Sequence, residues 1–123
     1  MPKHRATKKT EFSRKTRERI WERDRGECIF CRMGYPAAGA GCLDLEIKDI
    51  MHFIPRSQLG LGIEENGAVG CRYHHTQLDN GNRGLRGEML GRFEAYLKGI
   101  YPQWSREGLV YRKYDFEGGK VCS

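Results

Sequence analysis

The chain has 123 residues and a formal net charge of +6, with 38% of its residues hydrophobic and 31% charged. This length corresponds to one domain with a small hydrophobic core. No apolar run approaches the roughly 18 residues that a membrane span requires, and none follows the basic N-terminus as it would in a secretory signal. We therefore expect a soluble cytoplasmic protein with no membrane partner.

The positive charge is concentrated in the first twenty residues. We expect residues 1–9 to form a flexible basic arm and residues 10–123 to form a single domain. A basic arm favours binding to nucleic acid, because neutralised phosphates release condensed counterions. The alternative is a solvated tail without a function. The basic residues of this region are Lys3, His4, Arg5, Lys8, Lys9, Arg14, Lys15, Arg17 and Arg19.

The first predicted element is a helix. Its apolar residues recur at helical spacing from Thr10 onward, and we expect Ile20 and Trp21 to lie in the core. Thr10 or Ser13 can cap this helix, and residues 24–26 contain the glycine that ends it.

A β-hairpin followed by a helix is predicted in the middle of the chain. After a short turn at residues 28–31, the apolar and β-branched residues from Leu45 to Ile54 predict one strand, and residues 68–70 predict a second. A helix that starts near Arg72 follows and ends at residues 80–82, because Asn and Gly accept the left-handed conformation of a helix stop.

The most regular amphipathic helix is predicted at residues 85–100, and an edge strand is predicted at residues 109–114. The apolar face of this helix is expected to be core, and it comprises Met89, Phe93, Tyr96, Leu97 and Ile100.

Two pairs of potential metal ligands frame the hairpin. Cys28 and Cys31 form a C-x2-C pair, and Cys71 and His74 form a C-x2-H pair. Thiolate and imidazole are the ligands that Zn²⁺ prefers, and two such pairs match a closed tetrahedral site. The sequence therefore predicts a structural zinc ion.

The five cysteines leave alternatives to this assignment. An odd number of cysteines without a secretory signal argues against a disulfide framework. Cys42 could replace His74 as the fourth ligand, and the paired cysteines could instead be buried free thiols. Cys122 is expected to be a bystander thiol.

The segment between the two pairs resembles the HNH endonuclease family. Residues His52 to Ser57 read His-Phe-Ile-Pro-Arg-Ser and match the first element of the family's motif. Asn66 matches the second element, and His75 follows nine residues later at the family's spacing. The resemblance covers residues 17–81, about half of the chain, and the two ligand pairs match the zinc-bearing branch of the family.

The resemblance implies a fold and an activity. The fold would be a small α+β domain of the ββα-metal (His-Me finger) type, with a structural zinc and flanking helices. The activity would be metal-dependent hydrolysis of DNA phosphodiester bonds, with RNA left open as a substrate. The segment from Met89 to Tyr114 is similar to that of HNH proteins carried by bacteriophages, which implies the cytoplasm of a bacterial or phage-infected host cell.

The family pattern also implies a role for each motif residue. His52 would act as general base, since an imidazole titrates near working pH. His75 would bind a catalytic Mg²⁺ or Mn²⁺, and Asn66 would orient the strand that carries His52. Arg56 would contact the nucleic-acid backbone through its planar guanidinium.

The chain departs from the family pattern at Met51, where an acidic residue or a second His usually binds the metal. A thioether is a poor ligand for a hard cation. Asp79 could replace it, because it shares a helix face with His75. Asp49 could also replace it, because it shares a strand face with Met51, but Asp79 is preferred. The alternative function is a catalytically inactive module of the same fold that binds nucleic acid or a protein partner.

Overall fold

An antiparallel β-hairpin lies at the centre of this computed structural model, which describes residues 9–112. Strand β1 spans Lys48–His52 and strand β2 spans Gly67–Cys71. The register places Lys48 opposite Cys71 and His52 opposite Gly67. The described residues thus form a small α+β fold around a two-stranded sheet.

Helix α1, Arg14–Arg23, packs on one face of the hairpin. Ser13 caps it as predicted, its hydroxyl accepting a hydrogen bond from the backbone N–H of Thr16 at 3.1 Å. Ile20 is fully buried against Ile50 and Val69 of the hairpin. The expectation that Trp21 lies in the core is wrong, since this residue is 44% exposed. Successive residues of a helix point about 100° apart, so when Ile20 faces the hairpin, Trp21 is turned away from it.

Two short helices precede the hairpin. Helix α2, Ile29–Arg32, forms the predicted turn between the first cysteine pair, and helix α3, Cys42–Glu46, follows the loop. Helix α3 takes Leu45 and Glu46, so the strand is shorter than the predicted span of residues 45–54. The last hydrogen bond of this helix runs from the N–H of Ile47 to the carbonyl of Leu43, and the backbone is extended from Ile47 into β1.

Helix α4, Arg72–Asp79, follows the hairpin directly and packs on it, and helix α5, Arg86–Ile100, packs against α4. Both were predicted, including the stop after Asp79, where Gly81 has a φ of +84°. Met89, Phe93 and Leu97 of α5 are fully buried. Ile100 was expected in the core but is exposed at the end of the helix.

The predicted edge strand at residues 109–114 is wrong in its described part. Residues Glu107–Leu109 form a 3-10 turn, and Val110 makes an isolated bridge with Gly60. This segment pairs with the loop between the strands: Leu61 donates to the carbonyl of Leu109 at 2.7 Å. The rest of that prediction, Cys122 and nearly all of the basic arm fall outside residues 9–112.

No helix within residues 9–112 combines the length and the apolar composition needed to cross a membrane.

Candidate functional site

Four potential metal ligands converge from the two predicted pairs. Cys28 caps helix α2, which contains Cys31, while Cys71 ends β2 and caps helix α4, which contains His74. The Sγ of each capping cysteine accepts a backbone N–H three residues later at 3.4 Å. These local turns aim both side chains of each pair at one point.

The separations of these ligand atoms fit a tetrahedral zinc ion. The Nδ1 atom of His74 lies 3.6 Å from the Sγ of Cys28, 3.6 Å from that of Cys31 and 3.3 Å from that of Cys71. The Sγ atoms of Cys31 and Cys71 are 3.8 Å apart. Usual Zn–S and Zn–N bond lengths in a tetrahedron give separations of about 3.8 Å between sulfurs and about 3.6 Å between sulfur and nitrogen. The Cys3His cluster can therefore hold a structural zinc.

The surroundings of His74 support a metal-binding role. Its Nε2 lies 3.0 Å from the carbonyl oxygen of Pro36, which can only accept, so Nε2 carries the proton and Nδ1 presents its lone pair to the sulfurs. Burial and the neighbouring sulfurs of Cys28 and Cys71 raise the pKa of the Cys31 thiol to about 12. Such packing of thiols without a cation is unfavourable, and a bound Zn²⁺ would offset it.

Cys42 does not belong to the cluster that the described residues form. It is exposed at the start of α3, and the cluster consists of Cys28, Cys31, Cys71 and His74. The fourth ligand position is thus taken by His74.

Asn66 fastens the loop that leaves β1. Its side chain is fully buried; Oδ1 accepts from the N–H of Ile54 at 2.8 Å, and Nδ2 donates to the carbonyls of Ile54 at 3.1 Å and Leu61 at 2.8 Å. The backbone carbonyl of Asn66 also accepts from the N–H of Phe53 at 2.9 Å. The chain immediately after His52 is thereby held in one conformation.

His52 lies at the end of β1 in a partly buried position. Its Nε2 is 3.0 Å from the carbonyl oxygen of Thr10, and its ring stacks on Phe12 with centroids 4.1 Å apart. Burial is the main cause that lowers the pKa of His52, and the nearby charges of Arg56, His75 and Arg17 lower it further, against the opposing effect of the Thr10 hydrogen bond. The ring is therefore neutral near pH 7.

His75 and Asp79 lie together on helix α4. Their Nε2 and Oδ2 atoms are 3.5 Å apart, as the four-residue spacing predicts, and the side chain of Asp79 is 66% exposed while that of His75 is 28% exposed. Asp49 has other partners: its Oδ1 accepts hydrogen bonds from the guanidinium of Arg17 at 2.8 Å and from the backbone N–H of Ile50 at 2.7 Å.

Met51 and Arg56 complete the predicted site. Met51 is fully buried in the main core cluster, so its side chain faces away from solvent. Arg56 is half-exposed in the loop after β1, with its Nη2 3.7 Å from Glu11 and its Nε 3.4 Å from the hydroxyl of Thr10.

Two groups of contacts in this region are not predicted by the sequence. Thr10 and Phe12, which the sequence assigns only to a helix start and an apolar stripe, contact His52 from 42 and 40 residues away. Asp24, expected only to end a helix, is fully buried and accepts hydrogen bonds from Arg23, Val69 and Tyr96. Contacts at such separations leave no signal in local spacing.

Comparison of the chain with protein-family models, curated proteins and solved structures finds no match.

Proposed function

We propose that this protein is a metal-dependent endonuclease of the HNH (ββα-metal) type that hydrolyses DNA phosphodiester bonds. The observation that carries the proposal is the orientation of His52. Because the carbonyl of Thr10 can only accept, the Nε2 atom 3.0 Å away carries the proton, and Nδ1 carries the lone pair that can accept a proton from water. An imidazole held in one tautomer suits a general base.

The site residues divide the chemistry of hydrolysis between them. His52 takes a proton from the attacking water, and its lowered pKa keeps it neutral and competent near pH 7. Asn66 positions the chain that follows His52. Arg56 contacts a phosphate oxygen through its guanidinium.

His75 and Asp79 are the candidates to hold a catalytic Mg²⁺ or Mn²⁺. The 3.5 Å between their ligand atoms is close to the separation of about 3 Å expected for neighbouring ligands on an octahedral ion. The exposure of Asp79 leaves room for water and substrate on the same ion. When bound, this cation supplies positive charge to the scissile phosphate and the leaving oxygen.

Asp49 is a weaker candidate for the same ion. Its carboxylate already accepts from Arg17 and from its own strand. Recruiting it would leave the guanidinium of Arg17 without this partner, so the balance favours Asp79.

The proposed substrate is DNA, a polyanion, because the basic side chains of Arg56 and Arg17 lie close enough to His52 to lower its pKa. Arg14 and Lys15 are exposed at the start of α1, and the basic arm of residues 1–9 precedes them in the chain. Counterion release from phosphates would drive binding. RNA is the second substrate to compare in the same assay.

A catalytically inactive module of this fold that binds nucleic acid or a protein is the second candidate function. The observation in its favour is the complete burial of Met51, which removes one expected metal ligand from the site. An inactive module that binds nucleic acid would differ from the endonuclease in cleavage and not in DNA binding, whereas a module that binds a protein would differ in both.

A plasmid-nicking assay separates them. The zinc-loaded full chain should convert supercoiled plasmid to open circles in Mg²⁺ or Mn²⁺, and His75→Ala should lose this activity while retaining salt-dependent DNA binding. DNA binding by the wild type without cleavage in any divalent metal would favour the inactive module. Affinity that is weak and insensitive to salt would favour a protein partner.

A further inference from the structure

The residues just before helix α1 lie against His52. The carbonyl of Thr10 faces Nε2 of the imidazole at 3.0 Å, and the ring of Phe12 stacks on it with the two planes inclined by 29°. Thr10 is buried. One edge and one face of the imidazole are therefore in contact with a segment that lies outside the hairpin and helix α4.

This segment is seated against the loop that Asn66 fastens. The N–H of Gly62 donates to the carbonyl of Lys9 at 2.9 Å. A Cβ at Gly62 would lie 2.1 Å from the carbonyl oxygen of Glu11, and one at Gly67 would lie 2.6 Å from the ring of Phe12. The absence of side chains at these two glycines lets the segment approach closely.

Arg56, the residue proposed to contact a phosphate, also contacts residues 10–12. Its guanidinium lies 3.7 Å from Glu11 and 3.4 Å from the hydroxyl of Thr10. The segment is thus tied to the loop after β1 as well as to β2.

We propose that residues 10–12 are a positioning element for His52, in which the Thr10 carbonyl selects the ring tautomer and Phe12 fixes the ring plane. The inference rests on the proposed role of His52 as general base, but its structural content does not depend on cleavage. Phe12 is here a positioning residue, since it acts through His52. A misplaced base lowers the rate even when the substrate still binds.

The test compares Gly62→Ala and Phe12→Ala with the wild type by ¹⁵N NMR of the histidine side chains. Gly62→Ala must displace Glu11, whereas Phe12→Ala only removes the stacked ring. Gly87→Ala is the matched control for the glycine, because nothing lies within 4 Å of a Cβ there. Phe12→Leu keeps apolar bulk against Ile20 without a flat ring.

In the wild type and in Gly87→Ala, we expect His52 to populate the Nε2-protonated tautomer. In Gly62→Ala, which displaces the segment that carries the Thr10 carbonyl, His52 should shift to a mixture of tautomers. In both Gly62→Ala and Phe12→Ala its pKa should rise, because burial, the main cause of the lowered pKa, is relieved. Phe12→Leu should fall between them. The rate of cleavage should drop about ten- to hundredfold in Gly62→Ala and in Phe12→Ala, and the acid limb of the pH profile should move to higher pH.

An unchanged pKa of His52 in folded Phe12→Ala would overturn the inference, and this test does not depend on whether Gly62→Ala folds. An unchanged tautomer in folded Gly62→Ala would also overturn it. Faster cleavage by Phe12→Ala than by the wild type would also overturn it, because residues 10–12 would then block access to His52 and not position it. If the wild type does not cleave DNA but the NMR changes occur, the proposed function fails and the positioning of His52 stands.

Discussion

Asn66 and Ile54 are joined by two hydrogen bonds in opposite directions, the carboxamide accepting from the N–H of Ile54 and donating to its carbonyl. The third bond, to the carbonyl of Leu61, ties the far side of the same loop. Since the residue that makes these bonds is fully buried, water cannot replace them.

Asn66→Ala should therefore lower the free energy of unfolding by about 2–4 kcal/mol, since it leaves buried backbone groups without partners. Asn66→Asp should lower the free energy of unfolding by a similar amount, because a carboxylate oxygen would then face the carbonyl oxygens of Ile54 and Leu61 and could not donate to them. Urea unfolding followed by circular dichroism measures both. The exposed Asn80→Ala is the control and should change stability by less than about 0.5 kcal/mol. A loss below 1 kcal/mol in Asn66→Ala would mean that the loop is held by other contacts.

Loss of one zinc ligand should have a larger effect. Cys71→Ser should reduce the bound zinc from one ion per chain toward zero, and we expect a fall in Tm of more than about 10 °C, because metal binding contributes directly to folding in small zinc domains. Elemental analysis and thermal unfolding test this. Cys42→Ser should match the wild type in both measurements. Equal zinc content in Cys71→Ser and the wild type would contradict the Cys3His site.

The rate of DNA cleavage should depend on the protonation of His52. Burial places its pKa below the ordinary value of 6.5, and in the proposed mechanism the neutral form is the base. Cleavage should therefore be constant from pH 7 upward until another group titrates, and should fall with decreasing pH only below about 6.5. Zinc content measured at each pH separates this loss from release of the structural metal. An acid limb centred above pH 7 would be inconsistent with His52 as a buried neutral base.

Asp79 and Asp49 can be distinguished by the same substitution at each. Asp79→Asn should raise the Mg²⁺ or Mn²⁺ concentration for half-maximal cleavage by about tenfold or more, since it removes a ligand beside His75. Asp49→Asn breaks an exposed ion pair with Arg17 and should leave this concentration within about twofold of the wild type. The reverse pattern would assign the ion to Asp49.

Local spacing accounts for the parts of the fold and site that the sequence predicted. Both ligand pairs and the pairing of His75 with Asp79 depend on residues three or four positions apart, whose geometry a turn or helix fixes. The hairpin followed by helix α4 was also predicted locally, from short apolar and β-branched runs and from the Asn and Gly residues that end the helix.

Long-range packing accounts for what the sequence did not predict. Trp21 is a large apolar residue of the kind usually found in a core. The small hairpin, however, covers only the face of α1 that carries Ile20. Nothing in the spacing of Phe12 or Asp24 indicates contacts across forty or more residues. The strand predicted at residues 109–114 has β-branched and aromatic residues, yet in its described part the segment makes only an isolated bridge to Gly60.

The most direct measurement is the single-turnover rate of plasmid cleavage by the zinc-loaded His52→Ala variant, compared with the wild type in saturating Mn²⁺ at pH 7.5. Loss of a general base predicts a decrease of about 10²–10⁴-fold, with zinc content and salt-dependent DNA binding unchanged. Gln103→Ala, an exposed substitution outside the motif, is the control and should retain the wild-type rate. Cleavage by His52→Ala at the wild-type rate, or no cleavage by the wild type in any divalent metal, would contradict the proposal that this protein is a nuclease with His52 as its base.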